Sequence, residues 1–160
     1  RDGLELSPLI YGGGQEAGVR SGTLSPALCA GFGVAAQLMC AQREEHAAHV
    51  RQLWDVARNI LHDWTLNGSA TQRWHGNLNV RRDGLDVARL MSDLRNVAFS
   101  AGSACASGSG LTSHVLTAIG LTQAQAKSSI RLGFGMYTQL REIEDACVQI
   151  RSAAAAQGVL

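Results

Sequence analysis

Gly76-Asn77-Leu78-Asn79-Val80 decides the fold, because there the apolar spacing changes from three- and four-residue steps to strict alternation. Leu78 and Val80 alternate with Asn77 and Asn79, which predicts a strand with one apolar face. Upstream the pattern is helical. Ser25 is the expected N-cap and Pro26 the first helical residue. Leu28, Phe32, Ala35 and Met39 mark an apolar face, and Val50, Leu53, Trp54, Ala57, Ile60 and Leu61 carry the same spacing onward. The reading is one very long helix, or two with a bend, of a length suited to joining two lobes.

Downstream, Asp83-Gly84 turns the chain and Asp86 caps a short helix through Leu94. Val97-Ala98-Phe99 reads as a second strand, a short helix falls around Val115 to Ile119, and Ile130 to Phe134 is another strand. Thr138 is the expected cap of a closing helix, with Glu142, Glu144 and Asp145 near its positive end. The alternation predicts an α+β lobe, helices packed on a mostly antiparallel sheet.

Composition narrows the function. The 160 residues carry a net charge of +1, which offers neither a footprint for nucleic acid nor a basic patch for a membrane. The apolar runs are too short to span a bilayer. Cys29, Cys40, Cys105 and Cys147 are scattered and contain no C-x-x-C pair, so neither a disulfide scaffold nor a metal site is expected and the cytoplasm is the default compartment. No leader is seen at Arg1-Asp2-Gly3, and a start on arginine reads as a piece of a longer chain. Of the 14 basic residues only Lys127 is lysine.

Four local features bear on chemistry. Cys105 sits among eleven consecutive small residues, Ser100 to Gly110, with Phe99 and Leu111 the nearest large apolar side chains. Such a loop gives a thiolate mobility and access, although an incidental surface thiol would look alike. Arg131 interrupts an apolar strand, so it faces water, a partner or a ligand carboxylate such as a substrate acid. Gly12 to Ala17 has the letters of a dinucleotide fingerprint without the acidic residue expected about 20 positions later, which argues against NAD. Arg20-Ser21-Gly22-Thr23, just before a helix, could present hydroxyls and N–H groups to a phosphate, or be a plain cap. His46 and His49 read as a solvated helix face rather than metal ligands, and His114 as a candidate neighbour of the Cys105 loop.

Taken together, the segments resemble one family. Gly12-Gly13-Gly14-Gln15-Glu16-Ala17-Gly18-Val19-Arg20-Ser21-Gly22-Thr23, the strand at Gly76 to Val80, the loop Ser100 to Ser107, and Ser128-Ser129-Ile130-Arg131 are similar, in this order, to the motifs of cysteine desulfurases. The resemblance implies the small C-terminal lobe of a fold-type I pyridoxal 5'-phosphate enzyme with a long linking helix. It implies residues 1–23 as the end of the large lobe, 24–66 as the linking helix region and 67–160 as the small lobe. The activity implied is release of sulfur from L-cysteine, leaving L-alanine. Cys105 would carry the sulfur as a persulfide to an iron–sulfur scaffold or tRNA-thiolation acceptor, Arg131 would hold the substrate carboxylate, and Thr23 would meet the cofactor phosphate of the other subunit in a homodimer. The cofactor's lysine is expected upstream, so the piece alone is expected to be inactive. Ala101, Ala106 and Met136 depart from the family pattern. Other readings are a related class V aminotransferase or selenocysteine lyase, or a free-standing persulfide carrier.

Overall fold

The structure, a computed structural model, describes residue 3, residues 5–101 and residues 112–159. It divides into two compact units, Arg1–Arg43 and Glu44–Leu160. In the first, a glycine-rich segment with a short 3₁₀ turn at Glu16–Gly18 leads into α1, Pro26–Ala41. Ser25 is its N-cap and Pro26 its first residue, as the sequence predicts; the Leu28 N–H points at Ser25 Oγ at 3.5 Å. The helical run is two helices. Gln42 leaves helical geometry after its N–H closes on Leu38 O, and α2, Arg43–Ile60, follows. The predicted apolar face of α1 is not buried: Leu28 and Phe32 are 75% and 79% exposed.

The second unit holds a four-stranded sheet in the order β1-β2-β4-β3, in which β1 is Thr65–Leu66, β2 Asn77–Arg81, β3 Ser100–Ala101 and β4 Ser129–Gly133. Every pairing is antiparallel. Leu78 stands opposite Leu132 and Val80 opposite Ile130, so the alternation of both central strands turns one apolar face the same way. That face joins one cluster with Val50, Leu53, Trp54 and Ala57 of α2, Leu90 of α3 (Val87–Asp93), and Ile143, Cys147 and Ile150 of α6 (Leu140–Ala155). The i, i+3, i+4, i+7 spacing of the α2 residues is what lets a single stripe do this. Arg58 closes the end of α2, donating to the carbonyls of Leu61 and Trp64. Gly76 lets the start of β2 meet the end of β4: the Phe134 N–H bonds Gly76 O at 3.1 Å, and a Cβ on Gly76 would lie 2.7 Å from Phe134 O.

Two sequence expectations are corrected and one element is added. Val97–Phe99 is not a strand; the Val97 N–H turns back onto Leu94 O, and pairing with β4 begins only at Ser100. Thr138 does not cap α6. Its hydroxyl accepts from the Gly135 N–H, while the Gln139 N–H donates to Glu142. A second short helix, α5 (Gln123–Lys127), follows α4 (His114–Ala118) and starts in a capping box between Thr122 and Gln125. The T-x-x-Q spacing is its sequence signature. Asp86 caps α3 as expected, accepting from the Arg89 N–H at 3.0 Å.

Candidate functional site

In the first unit the segment from Gly12 to Thr23 folds back on itself. Ser21 N–H bonds Ile10 O, Ser21 Oγ accepts from the Gly14 N–H at 3.2 Å, and Gln15 Oε1 accepts from the Gly22 N–H at 3.0 Å. The Gln15 amide passes so close to Gly13 that a Cβ there would lie 2.9 Å from Oε1. Glu16 and Ala17 both adopt left-handed backbone, φ 53° and 54°, a conformation that costs a non-glycine residue free energy and must be held by its surroundings. Of the donors the sequence offered for a phosphate, the Ser21 hydroxyl is buried and the Gly22 N–H is taken, both in holding the loop closed. Thr23 remains. It is exposed, its hydroxyl has no partner among the described residues, and with Arg20, Ser25 and Leu28 it lines one shallow depression.

In the second unit the sheet face away from the core is polar. Arg131 lies between two cross-strand neighbours, Asn79 on β2 and Ser100 on β3. Its flanking residues Ile130 and Leu132 are buried in the core, so alternation turns the half-buried Arg131 to the other face. Among the described residues its guanidinium makes no hydrogen bond or ion pair. The chain enters the Cys105 loop from Ser100–Ala101, directly beside Arg131. Cys105 itself lies outside the described residues, as does Ala106. Ala101 is half-buried in β3, and Met136 lies in the turn after β4.

Sequence reasoning missed what surrounds Arg131. Asn67, given no role in the sequence reading, is 4% exposed and bonds Asn79, Ser129 and Arg81. Ser129 Oγ in turn donates to Gln125 O at 2.8 Å. No periodicity signals such a network, because each member also reads as an ordinary polar residue of a strand or turn. His46 and His49 are half-buried rather than a solvated face; His49 Nε2 lies 2.9 Å from Thr138 O. His114 opens α4 and is exposed. Arg73 lies over the Trp54 ring and donates to the carbonyls of Asn67, Ser69 and Asn77, tying down the loop before β2. His75 packs edge-on to the same ring, and burial, with the charges of Arg51 and Arg73, holds its pKa below the ordinary value against a weaker pull from Asp55. Cys147 is wholly buried, and burial pushes its thiol up to about 12. Burial would raise the Asp63 carboxyl, but the ion pair with Arg82 and the charge of Arg151 leave it below the usual range.

The Aminotransferase class-V family profile matches residues 6–145, and the chain belongs to that family. Within it, similar proteins include several named cysteine desulfurase. The chain is 46% identical to the mitochondrial cysteine desulfurase of Eremothecium gossypii over 90% of its own length and 30% of that protein. It is 41% identical to cysteine desulfurase IscS of Rickettsia typhi, over 88% of this chain and 35% of that one. Among solved structures, the NifS-like protein from Rickettsia africae superimposes with a TM-score of 0.79 at 29% identity, covering 94% of this chain and 40% of that one. SspA in complex with cysteine superimposes with a TM-score of 0.61 at 34% identity, over 86% and 38%. The chain thus spans about a third of the length of the curated relatives it matches.

The family is generally one of pyridoxal-phosphate enzymes. The exposed Thr23 hydroxyl and the neighbouring Arg20 guanidinium suit the phosphate end of that cofactor. Lys127, in the last turn of α5, belongs to the second unit and is exposed.

Proposed function

We propose that this chain is the C-terminal part of a pyridoxal-phosphate-dependent cysteine desulfurase. The observation that carries the proposal is Arg131, unpaired among the described residues on a polar sheet face, with Ser100 beside it opening the Cys105 loop. The 46% identity to a cysteine desulfurase over 90% of the chain supports the same reading. Residues 1–23 end the large lobe, 24–66 form the linking region and 67–160 the small lobe. The lysine that holds the cofactor belongs to the part of the protein outside these 160 residues.

When bound, the cofactor supplies an electron sink that lets the carbon–sulfur bond of cysteine break. Arg131 holds the substrate carboxylate through paired N–H···O bonds and so fixes which way the sulfur points. The Cys105 thiolate attacks that sulfur; the new S–S bond forms as the C–S bond breaks, leaving a Cys105 persulfide and, after protonation, L-alanine. Thr23 donates to the cofactor phosphate of the other subunit, which makes a homodimer the working unit. The persulfide passes to an iron–sulfur scaffold or a tRNA-thiolation acceptor. The free thiols of Cys29, Cys40 and Cys147 suit a reducing compartment, the cytoplasm.

The test is Cys105→Ser in the full-length protein. Sulfide release in the presence of reductant should be abolished, while the cofactor's absorbance change on adding L-cysteine persists, because the nucleophile acts after binding. Wild-type turnover by this variant would remove Cys105 from the reaction.

A further inference from the structure

Asn67 is buried at the end of β1, and every polar atom of its side chain is claimed. Arg81 Nη1 donates to Asn67 Oδ1 at 3.0 Å. A guanidinium can only donate, so the atom facing Arg81 must be the amide oxygen and the orientation of Asn67 is settled. Its amide nitrogen then gives one proton to Ser129 Oγ at 3.0 Å and the other to Asn79 Oδ1 at 2.7 Å. The orientation of Asn79 follows by the same logic, because only its oxygen can meet an N–H donor. A directed chain results, from Arg81 through Asn67 to Asn79, that leaves the Asn79 amide nitrogen with two protons and no partner among the described residues.

Asn79 is the direct cross-strand neighbour of Arg131, on the same half-buried face. Such pairs hold their Cβ atoms about 5 Å apart, close enough for both side chains to reach one small anion. Among the described residues, an amide and a guanidinium thus lie on neighbouring strands of this half-buried face with N–H donors that no acceptor takes. A planar group with two acceptor oxygens satisfies both.

We propose that Asn79 is a second donor to the substrate's carboxylate beside Arg131, and that Asn67 is a positioning residue that holds the Asn79 amide in donor orientation. The inference rests on reading Arg131 as the carboxylate ligand. It adds a specificity: the site selects amino acids over the corresponding amines through two side chains, one of them neutral.

The test uses the full-length holoenzyme in a Cys105→Ser background, so that the cofactor's absorbance change reports binding without turnover. Two ligands are titrated: L-cysteine, and cysteamine, which lacks the carboxylate. Asn79→Ala should weaken L-cysteine about tenfold, as loss of a hydrogen bond to a charged group implies, and leave cysteamine unchanged. Asn67→Asp offers only acceptors to Asn79, so that the amide turns round and presents its oxygen to the ligand. It should weaken L-cysteine at least as much as Asn79→Ala, although it does not touch the ligand. The double variant Asn67→Asp/Asn79→Ala should bind like Asn79→Ala alone, because Asn67 acts only through Asn79.

Arg131→Ala separates the two readings. If it weakens L-cysteine and Asn79→Ala does not, the inference falls and the role of Arg131 stands; if neither does, both fall. Equal weakening of cysteamine by Asn79→Ala would show a merely structural role and overturn the inference. Additive losses in the double variant would overturn the role of Asn67. Should Asn67→Asp fail to fold, the comparison of L-cysteine with cysteamine in Asn79→Ala still decides the main point.

Discussion

Two helices of similar length follow one another in this chain and live in different surroundings. α2 places Val50, Leu53, Trp54 and Ala57 in the core of its unit and shows its charged residues, Arg58 excepted, to water. α1 has no charged residue among its 16, yet none of its residues is buried. Apolar spacing gives a helix a face; it does not say what covers that face. A stripe with a charged reverse, as in α2, is covered within its own unit. A helix apolar nearly all round asks for covering on several sides, and within the described residues of the first unit nothing supplies it.

The sharpest way to break this comparison is to truncate one side chain in each unit. Leu78→Ala, at a fully buried position, should cost about 2–5 kcal/mol in the 160-residue chain, read from the midpoint of urea unfolding. Phe32→Ala should move the midpoint by no more than about 0.5 kcal/mol in the same chain. Equal losses would mean that Phe32 is buried as deeply as Leu78. In the full-length protein a larger loss for Phe32→Ala would mark α1 as covered there.

A smaller effect is expected from glycine. Gly76→Ala drives a Cβ against the Phe134 carbonyl, a backbone atom with little room to give, and should destabilise by about 1–3 kcal/mol. Gly31→Ala, in the middle of α1 with nothing within 4 Å of the new Cβ, should raise helical stability by about 0.5–1 kcal/mol. Opposite signs in thermal melts would confirm that the two units differ in packing and not merely in composition.

The smallest effect is one of pH. All five histidines lie in the second unit. The pKa of His75 is lowered on folding, so its contribution to stability is complete above the unfolded value of 6.5 and is lost as pH falls from there through the folded value. Unfolding free energy should therefore decline on acidification below about 6.5, and His75→Gln should flatten that part of the profile. An unchanged slope would show that His75 is as solvated folded as unfolded.

The sheet was legible because Leu78/Val80 and Ile130/Leu132 alternate without interruption, and alternation fixes both the strand and its buried face. Val97–Phe99 misled because apolar residues at a strand's approach resemble the strand; only pairing with β4, a long-range fact, places its start at Ser100. Of the site, Arg131 could be singled out because a charge in an apolar strand is conspicuous. Asn67 and Asn79 could not. Their importance lies in which atom of a carboxamide faces which neighbour, and that is set by Arg81, 14 residues from Asn67 in sequence.

Cys147 carries a consequence of another kind. With its thiol pushed up to about 12, only on the order of one molecule in 10⁵ holds it as thiolate at neutral pH, and it lies wholly inside the helix–sheet cluster. Thiol–disulfide exchange at an exposed cysteine would therefore pass it by. Alkylating reagent reaches Cys147 only when the cluster opens, so the rate of its labelling is a clock for that opening, built into the chain and needing no introduced probe.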